Sequence, residues 1–141
     1  RSARGRRGDG LLSLRAPSVG LEGTWIPIAA DVSGQPLVVA ELRVKRFVLR
    51  DGVYEIFDST DHLVDTGDYN ADANASPQEI DIFFVTGPNA GRQMRAIYVL
   101  EGDRLTVCYD LESDQRPADM APQQDQLLLS ITYARAAARL S

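Results

Sequence analysis

Cysteine, histidine and tryptophan each occur once in these 141 residues, as Cys108, His62 and Trp25. A single cysteine permits no disulfide within the chain, which favours a reducing compartment, although a well-packed domain outside the cell needs none either. Metal sites built from several His or Cys ligands are excluded by count, leaving only carboxylate sites. A Ser/His/Asp arrangement would have to use His62, and no Gly-x-Ser-x-Gly elbow is present to partner it. The acidic residues number 20, but their spacing singles out no catalytic pair. No enzyme activity and no cofactor are therefore expected. Long apolar runs are missing too. The longest, "IDIFFV" and "LLLSI", fall far short of the ~18 residues of a membrane-spanning helix, so no membrane span is expected.

What is present is unevenly charged. Residues 1–20 hold Arg1, Arg4, Arg6, Arg7 and Arg15 against Asp9, a net +4, so the remainder carries −9 of the total −5. A body that acidic is not expected to bind nucleic acid. Five arginines with no interleaved aromatic ring read as a basic tail or linker rather than a nucleic-acid arm. Arg7-Gly8-Asp9 spells a cell-adhesion tripeptide, but three letters in an Arg/Gly-rich stretch carry no weight. "LLSL" is too short for the apolar core of a signal peptide. The chain opens on Arg rather than Met, which suggests a trimmed product or a piece of a longer protein. The expected division is a tail over 1–20, a domain over 21–135 and a short tail over 136–141.

From Leu21 onward, short β-like runs alternate with turn chemistry. "GTWIPIAADV" ends at Ser33-Gly34-Gln35-Pro36. "LVVAELR" reads as one helical turn or as a crossing segment. "LRVKRFVLR" meets "VYEIFD" across Asp51-Gly52, a tight hairpin pair. "HLVDTGDYN" follows the Ser59-Thr60-Asp61 turn and is the most polar run. Then come "EIDIFFV", the "TGPNAGR" turn cluster, "QMRAIYVL", a hairpin at Glu101-Gly102-Asp103, "RLTVCYD", a long polar loop from Leu111 to Gln126, and "LLLSITYAR". Eight strands joined mostly by hairpins predict an all-β fold, an eight-stranded antiparallel up-and-down barrel. Alternation puts Ile80, Ile82 and Phe84 on one face, with Met94, Ala96, Tyr98 and Leu100 on the next strand. Leu105, Val107 and Tyr109 continue the set, and Leu127, Leu129, Ile131 and Tyr133 complete it. Whether these side chains fill the interior or leave a cavity stays open, since eight strands allow either.

Gly23-Thr24-Trp25 resembles the Gly-x-Trp signature that opens the first strand of lipocalins and their calycin relatives. That resemblance implies that Trp25 plugs one end of the barrel and that a late basic residue, here Arg135, packs over its ring. The pairing is physically sensible, because a planar guanidinium gains cation–π energy on an indole while remaining hydrogen-bonded. From Leu21 to about Arg135 the chain is similar, more closely, to a lipocalin-like domain family of uncharacterised bacterial proteins abundant in planctomycetes. The matching residues are "ADVSGQPL", Gly67-Asp68-Tyr69, Pro77 to Asp81, Gly87-Pro88-Asn89 with Gly91, Ile97-Tyr98, Gly102-Asp103 with Leu105, Cys108 and Arg116-Pro117. The resemblance implies a fold and a periplasmic or secreted location; the family offers no established activity to transfer.

Candidate sites are few. Asp68, Asn70, Asp72, Asn74, Ser76 and Glu79 occupy positions 1, 3, 5, 7, 9 and 12 of a possible calcium loop. Position 6 is Ala73 rather than Gly and no helices flank it, so a solvated turn is expected. His62 could in principle hold haem, but its neighbours Asp58, Asp61 and Asp65 point to exposure. Cys108 lies on the face opposite Val107 and Tyr109 and reads as a packed bystander. Phe84, Met94, Tyr98, Val107, Tyr109 and Ile131 are the residues expected to line a pocket, if the barrel has one. The expected function is non-catalytic binding of a small apolar or amphipathic ligand inside the barrel. The alternative is a ligand-free interaction module of a larger protein. A cavity of ~300 Å³ or more would favour the first, a side-chain-filled interior the second.

Overall fold

Two backbone turns show how the chain is folded back on itself. Asp51 and Gly52 both adopt positive φ (55° and 80°), as do Ser33 and Gly34 (47° and 87°). Two successive left-handed residues form the turn whose twist matches that of the strands it joins. The computed structural model describes residues 20–86, 90–122 and 124–136. The expected basic tail, the last five residues and the centre of the Gly-Pro-Asn turn lie outside them.

The strands are β1 (Gly23–Val32), β2 (Gln35–Leu37), β3 (Arg46–Arg50), β4 (Val53–Phe57), β5 (Leu63–Asp72), β6 (Gln78–Phe84), β7 (Gln93–Glu101), β8 (Arg104–Asp110) and β9 (Leu128–Arg135). From β3 to β9 every strand pairs antiparallel with its neighbours in sequence, and β1 pairs with both β3 and β9. The sheet therefore closes into an eight-stranded up-and-down barrel, with β2 as a three-residue flap hydrogen-bonded to the end of β1. The "LVVAELR" stretch, for which a helical turn and a crossing segment were alternatives, combines the two. It makes one 3₁₀ turn at Val39–Glu41 and then crosses to β3, turning Leu42 and Val44 against the interior.

Alternation decides the core. Ile80, Ile82, Ala96, Tyr98, Leu105, Val107, Leu129, Ile131 and Tyr133 are all buried in one interior cluster, with Phe84, Met94, Leu100 and Tyr109 packed against it. Leu127 differs from expectation. It precedes β9, which begins at Leu128, and it takes no part in the interior cluster.

Residues of the opposite parity form a second, smaller cluster on the outside of the barrel: Ile97, Cys108 and Leu128, with Met120 from the long loop packed on them. The loop is held there by specific bonds. Arg116 Nη1 donates to Asp81 Oδ1 at 2.7 Å and to the Ala96 carbonyl at 3.0 Å, and the adjacent Pro117 is fully buried. Asp110 anchors the loop's root by accepting from the Glu112 N–H, the Ser113 hydroxyl and the Gln126 amide.

Candidate functional site

Trp25 belongs to the interior cluster and pairs with Arg135 where β1 meets β9. Its ring is fully buried and its Nε1 donates to the Leu21 carbonyl at 2.8 Å. The Arg135 guanidinium lies 4.3 Å from the indole centroid. Arg135 also donates to the carbonyls of Glu22 (2.7 Å) and Gly20 (2.9 Å) and to Asp103 Oδ1 (3.1 Å). Leu21, Leu49 and Leu105, none of them exposed, pack in the same core.

The interior is not completely filled. A cavity of about 180 Å³ lies inside the barrel, walled by Val44 from the crossing segment and by inward residues of seven strands. β3 and β4 supply Phe47, Tyr54 and Ile56; β6 and β7 supply Ile80, Ile82, Phe84 and Met94; β8 and β9 supply Val107, Tyr109, Ile131 and Tyr133; β5 supplies Asp65. Of the ten aromatic residues in the chain, five stand in this wall. Their rings pack against one another. Tyr54 meets Phe84 edge-on at 6.0 Å, and Phe47 lies 5.4 Å from Tyr133. A shallower hollow of about 200 Å³ shares the Phe84, Met94 and Tyr109 wall and adds Arg92, Asp110 and Asp114. Arg92 is ion-paired there with Asp114 at 3.3 Å.

Asp65 sets the chemistry of the interior. It occupies the same parity as Gly67 and Tyr69 on β5, so it faces inward, opposite Ile56 of β4. The Tyr54 hydroxyl donates to its Oδ1 at 3.1 Å. Burial pushes the Asp65 carboxyl above the usual carboxylate range, only partly offset by hydrogen bonds from Tyr54 and the Thr66 backbone. Burial, and then the neighbouring Asp65 charge, push the Tyr54 hydroxyl far above its ordinary value, so it acts as a donor that does not ionise. Tyr109 and Tyr133 are raised by burial as well. The arrangement offers aromatic faces, hydroxyl groups and a single negative charge in an otherwise apolar space.

Close packing behind the site depends on Gly67. A Cβ there would stand 2.0 Å from the Phe83 carbonyl oxygen and 2.8 Å from Tyr54 Cε2. Only a residue without a side chain lets β6 and the Tyr54 ring approach β5 this closely.

Of the residues expected to line a pocket, Phe84, Met94, Val107, Tyr109 and Ile131 stand in the cavity wall. Tyr98 does not. It is 1% exposed and packs deeper in the core, where Asp72 is among its neighbours. Sequence reasoning placed Ile80, Ile82 and Tyr133 in the interior without assigning them to the pocket, and it missed Val44, Phe47, Tyr54, Ile56 and Asp65; the inward parity of Asp65 with Gly67 and Tyr69 was the available signal for that residue.

Elsewhere, His62 is exposed and its Nδ1 lies 2.6 Å from the Thr60 hydroxyl, at a turn outside the cavity. Asp68, Asn70 and Asp72 are exposed outward residues of β5, Asp72 accepts from the Asn74 N–H, and Glu79 pairs with Arg116. Among the described residues no group of three or more His, Cys, Asp or Glu is placed to hold a metal ion. Cys108 is fully buried, and burial raises its thiol. No described helix is long and apolar enough to cross a membrane. Comparison with protein-family models, with curated proteins and with solved structures finds no match to this chain.

Proposed function

We propose that this protein is a lipocalin-like barrel that binds a small apolar or amphipathic molecule without transforming it. The observation that carries this reading is the unfilled, ring-lined cavity in the interior. A close-packed protein rarely leaves such a space without a use, because every missing contact there costs stability. The volume restricts the ligand. At about 180 Å³ the cavity falls below the ~300 Å³ of ordinary drug-sized sites and is close to the ~150 Å³ that accommodates benzene. The occupant is therefore about one ring in size. Gly23-Thr24-Trp25 with Arg135 stacked above the indole supports the lipocalin-like assignment.

Native mass spectrometry of the protein from its own host tests the reading. A co-purifying small molecule that is released on denaturation is the expected result. An empty protein that also fails to bind toluene would favour the second reading, a ligand-free interaction module. The modest cavity volume is the observation on that side.

A further inference from the structure

Within the reading of a small-ligand barrel, we infer that the cavity selects a cation, namely a one-ring or short-chain primary amine in its ammonium form, with Asp65 as the counter-ion. Asp65 is the only charged residue in the cavity wall among the described residues. No Lys or Arg among them pairs with it. Among the described residues its one side-chain partner is the Tyr54 hydroxyl, a neutral donor. Asp65 is half-buried, and a carboxylate partly withdrawn from water beside apolar walls is disfavoured without a positive partner, so an ammonium entering the cavity gains the attraction that the protein itself leaves unused. The rings point the same way. Phe47, Tyr54, Phe84, Tyr109 and Tyr133 present aromatic surface to the same space, and aromatic faces attract cations. The adjoining hollow adds no net positive charge, because Arg92 is already paired with Asp114 and Asp110 lies alongside. An anionic ligand of the same size would instead meet Asp65 directly and be repelled.

The test compares three one-ring probes of similar size by calorimetric titration at pH 7: benzylamine, its neutral isostere benzyl alcohol, and benzoate. Benzylamine is expected to bind at least about tenfold more tightly than benzyl alcohol, a difference of about 1.4 kcal/mol, with benzoate weakest. Asp65→Asn keeps the shape and an acceptor for Tyr54, and it should bring the amine and the alcohol to equal affinity. Tyr54→Phe, which removes the neutral donor from Asp65 but no charge, should keep the preference for the amine. Benzyl alcohol binding as well as benzylamine to the unsubstituted protein would overturn the cation inference and leave the small-ligand reading standing. If none of the three binds, both fail.

Discussion

Arg135 holds Trp25 in two ways at once: it stacks on the indole at 4.3 Å, and it bonds the carbonyls of Glu22 and Gly20 just before the tryptophan in the chain. Trp25 and the segment leading into it are thus fastened by one side chain. Trp25→Ala should destabilise the fold by about 3–5 kcal/mol, as other buried large-to-small changes do. Arg135→Ala should cost about 1–3 kcal/mol through the carbonyls it leaves unpaired. Because the two residues touch, the double variant should depart from additivity by more than ~0.5 kcal/mol in urea unfolding. Additive losses would show that the stacking contributes nothing.

Gly67→Ala is predicted to be among the more damaging single-methyl additions in this chain. The clash is with the Phe83 carbonyl oxygen at 2.0 Å, which is backbone and cannot swing aside. Overpacking of this kind costs about 1–3 kcal/mol or more, and the displaced Tyr54 ring should also weaken ligand binding. Thermal melting reads the first effect, and an unchanged midpoint would contradict the close approach.

The outer cluster under the long loop gives a chemical readout. Cys108 is fully buried there and its thiol is raised by burial, so a thiol reagent should modify the native protein only slowly. Arg116→Ala removes the bonds to Asp81 and the Ala96 carbonyl, and should accelerate modification severalfold by freeing the loop that covers the cysteine. Equal rates in the two proteins would mean that Arg116 does not hold the cover in place.

Two carboxylates should pull the acid stability in opposite directions. Burial works against a charged Asp110, but its hydrogen bonds from Glu112, Ser113 and Gln126 outweigh that and hold it below its ordinary 3.8. The native state then binds fewer protons than the unfolded chain, so this contribution is fully present above about pH 4 and is lost as the pH falls through the native value. Asp65 is raised by burial, so its contribution has the reverse sign: complete below 3.8 and lost as the pH rises through its native value. The titratable groups facing Asp65 are the raised Tyr54, Tyr109 and Tyr133, which stay protonated throughout this range. Asp110→Asn should therefore lower the melting temperature at pH 7 and flatten its fall in acid. Asp65→Asn should raise the melting temperature of the ligand-free protein at pH 7 and change little near pH 3. If Asp65→Asn proved neutral at pH 7, the carboxylate would not be desolvated as its position implies.

The strands were legible because two signals coincide along most of the chain. Asp51-Gly52 and Ser33-Gly34 name their turns through the φ they need, and Ile80, Ile82 and Phe84 alternate against Asp81 as a half-buried strand must. The cavity was only half legible. In "HLVDTGDYN" both faces carry polar residues, so the parity that turns Asp65 inward and Asp68 outward leaves no mark in hydrophobicity. The depth of Tyr98 was equally hidden, since alternation reports which face a residue occupies but not how far along the barrel axis it lies. Of the outer cluster only Cys108 was legible, as a packed residue on the face opposite Val107 and Tyr109. Met120 and Pro117 are isolated in polar text; Pro117 is buried and Met120 half-buried because Arg116 ties the loop to distant strands, not because of any local period.

The seam between β1 and β9 brings the two limits of the described domain together, with the Ala136 N–H donating to the Thr24 carbonyl at 2.8 Å. A barrel whose ends adjoin has no privileged first strand. A short linker from Ala136 to Gly20 could replace one hairpin, and the chain could be opened instead at the exposed Asp51 or within the Gly102-Asp103 turn. Such a circular permutant would keep every strand pairing, and it would move the one long-range closure of the fold to a different place on the ring.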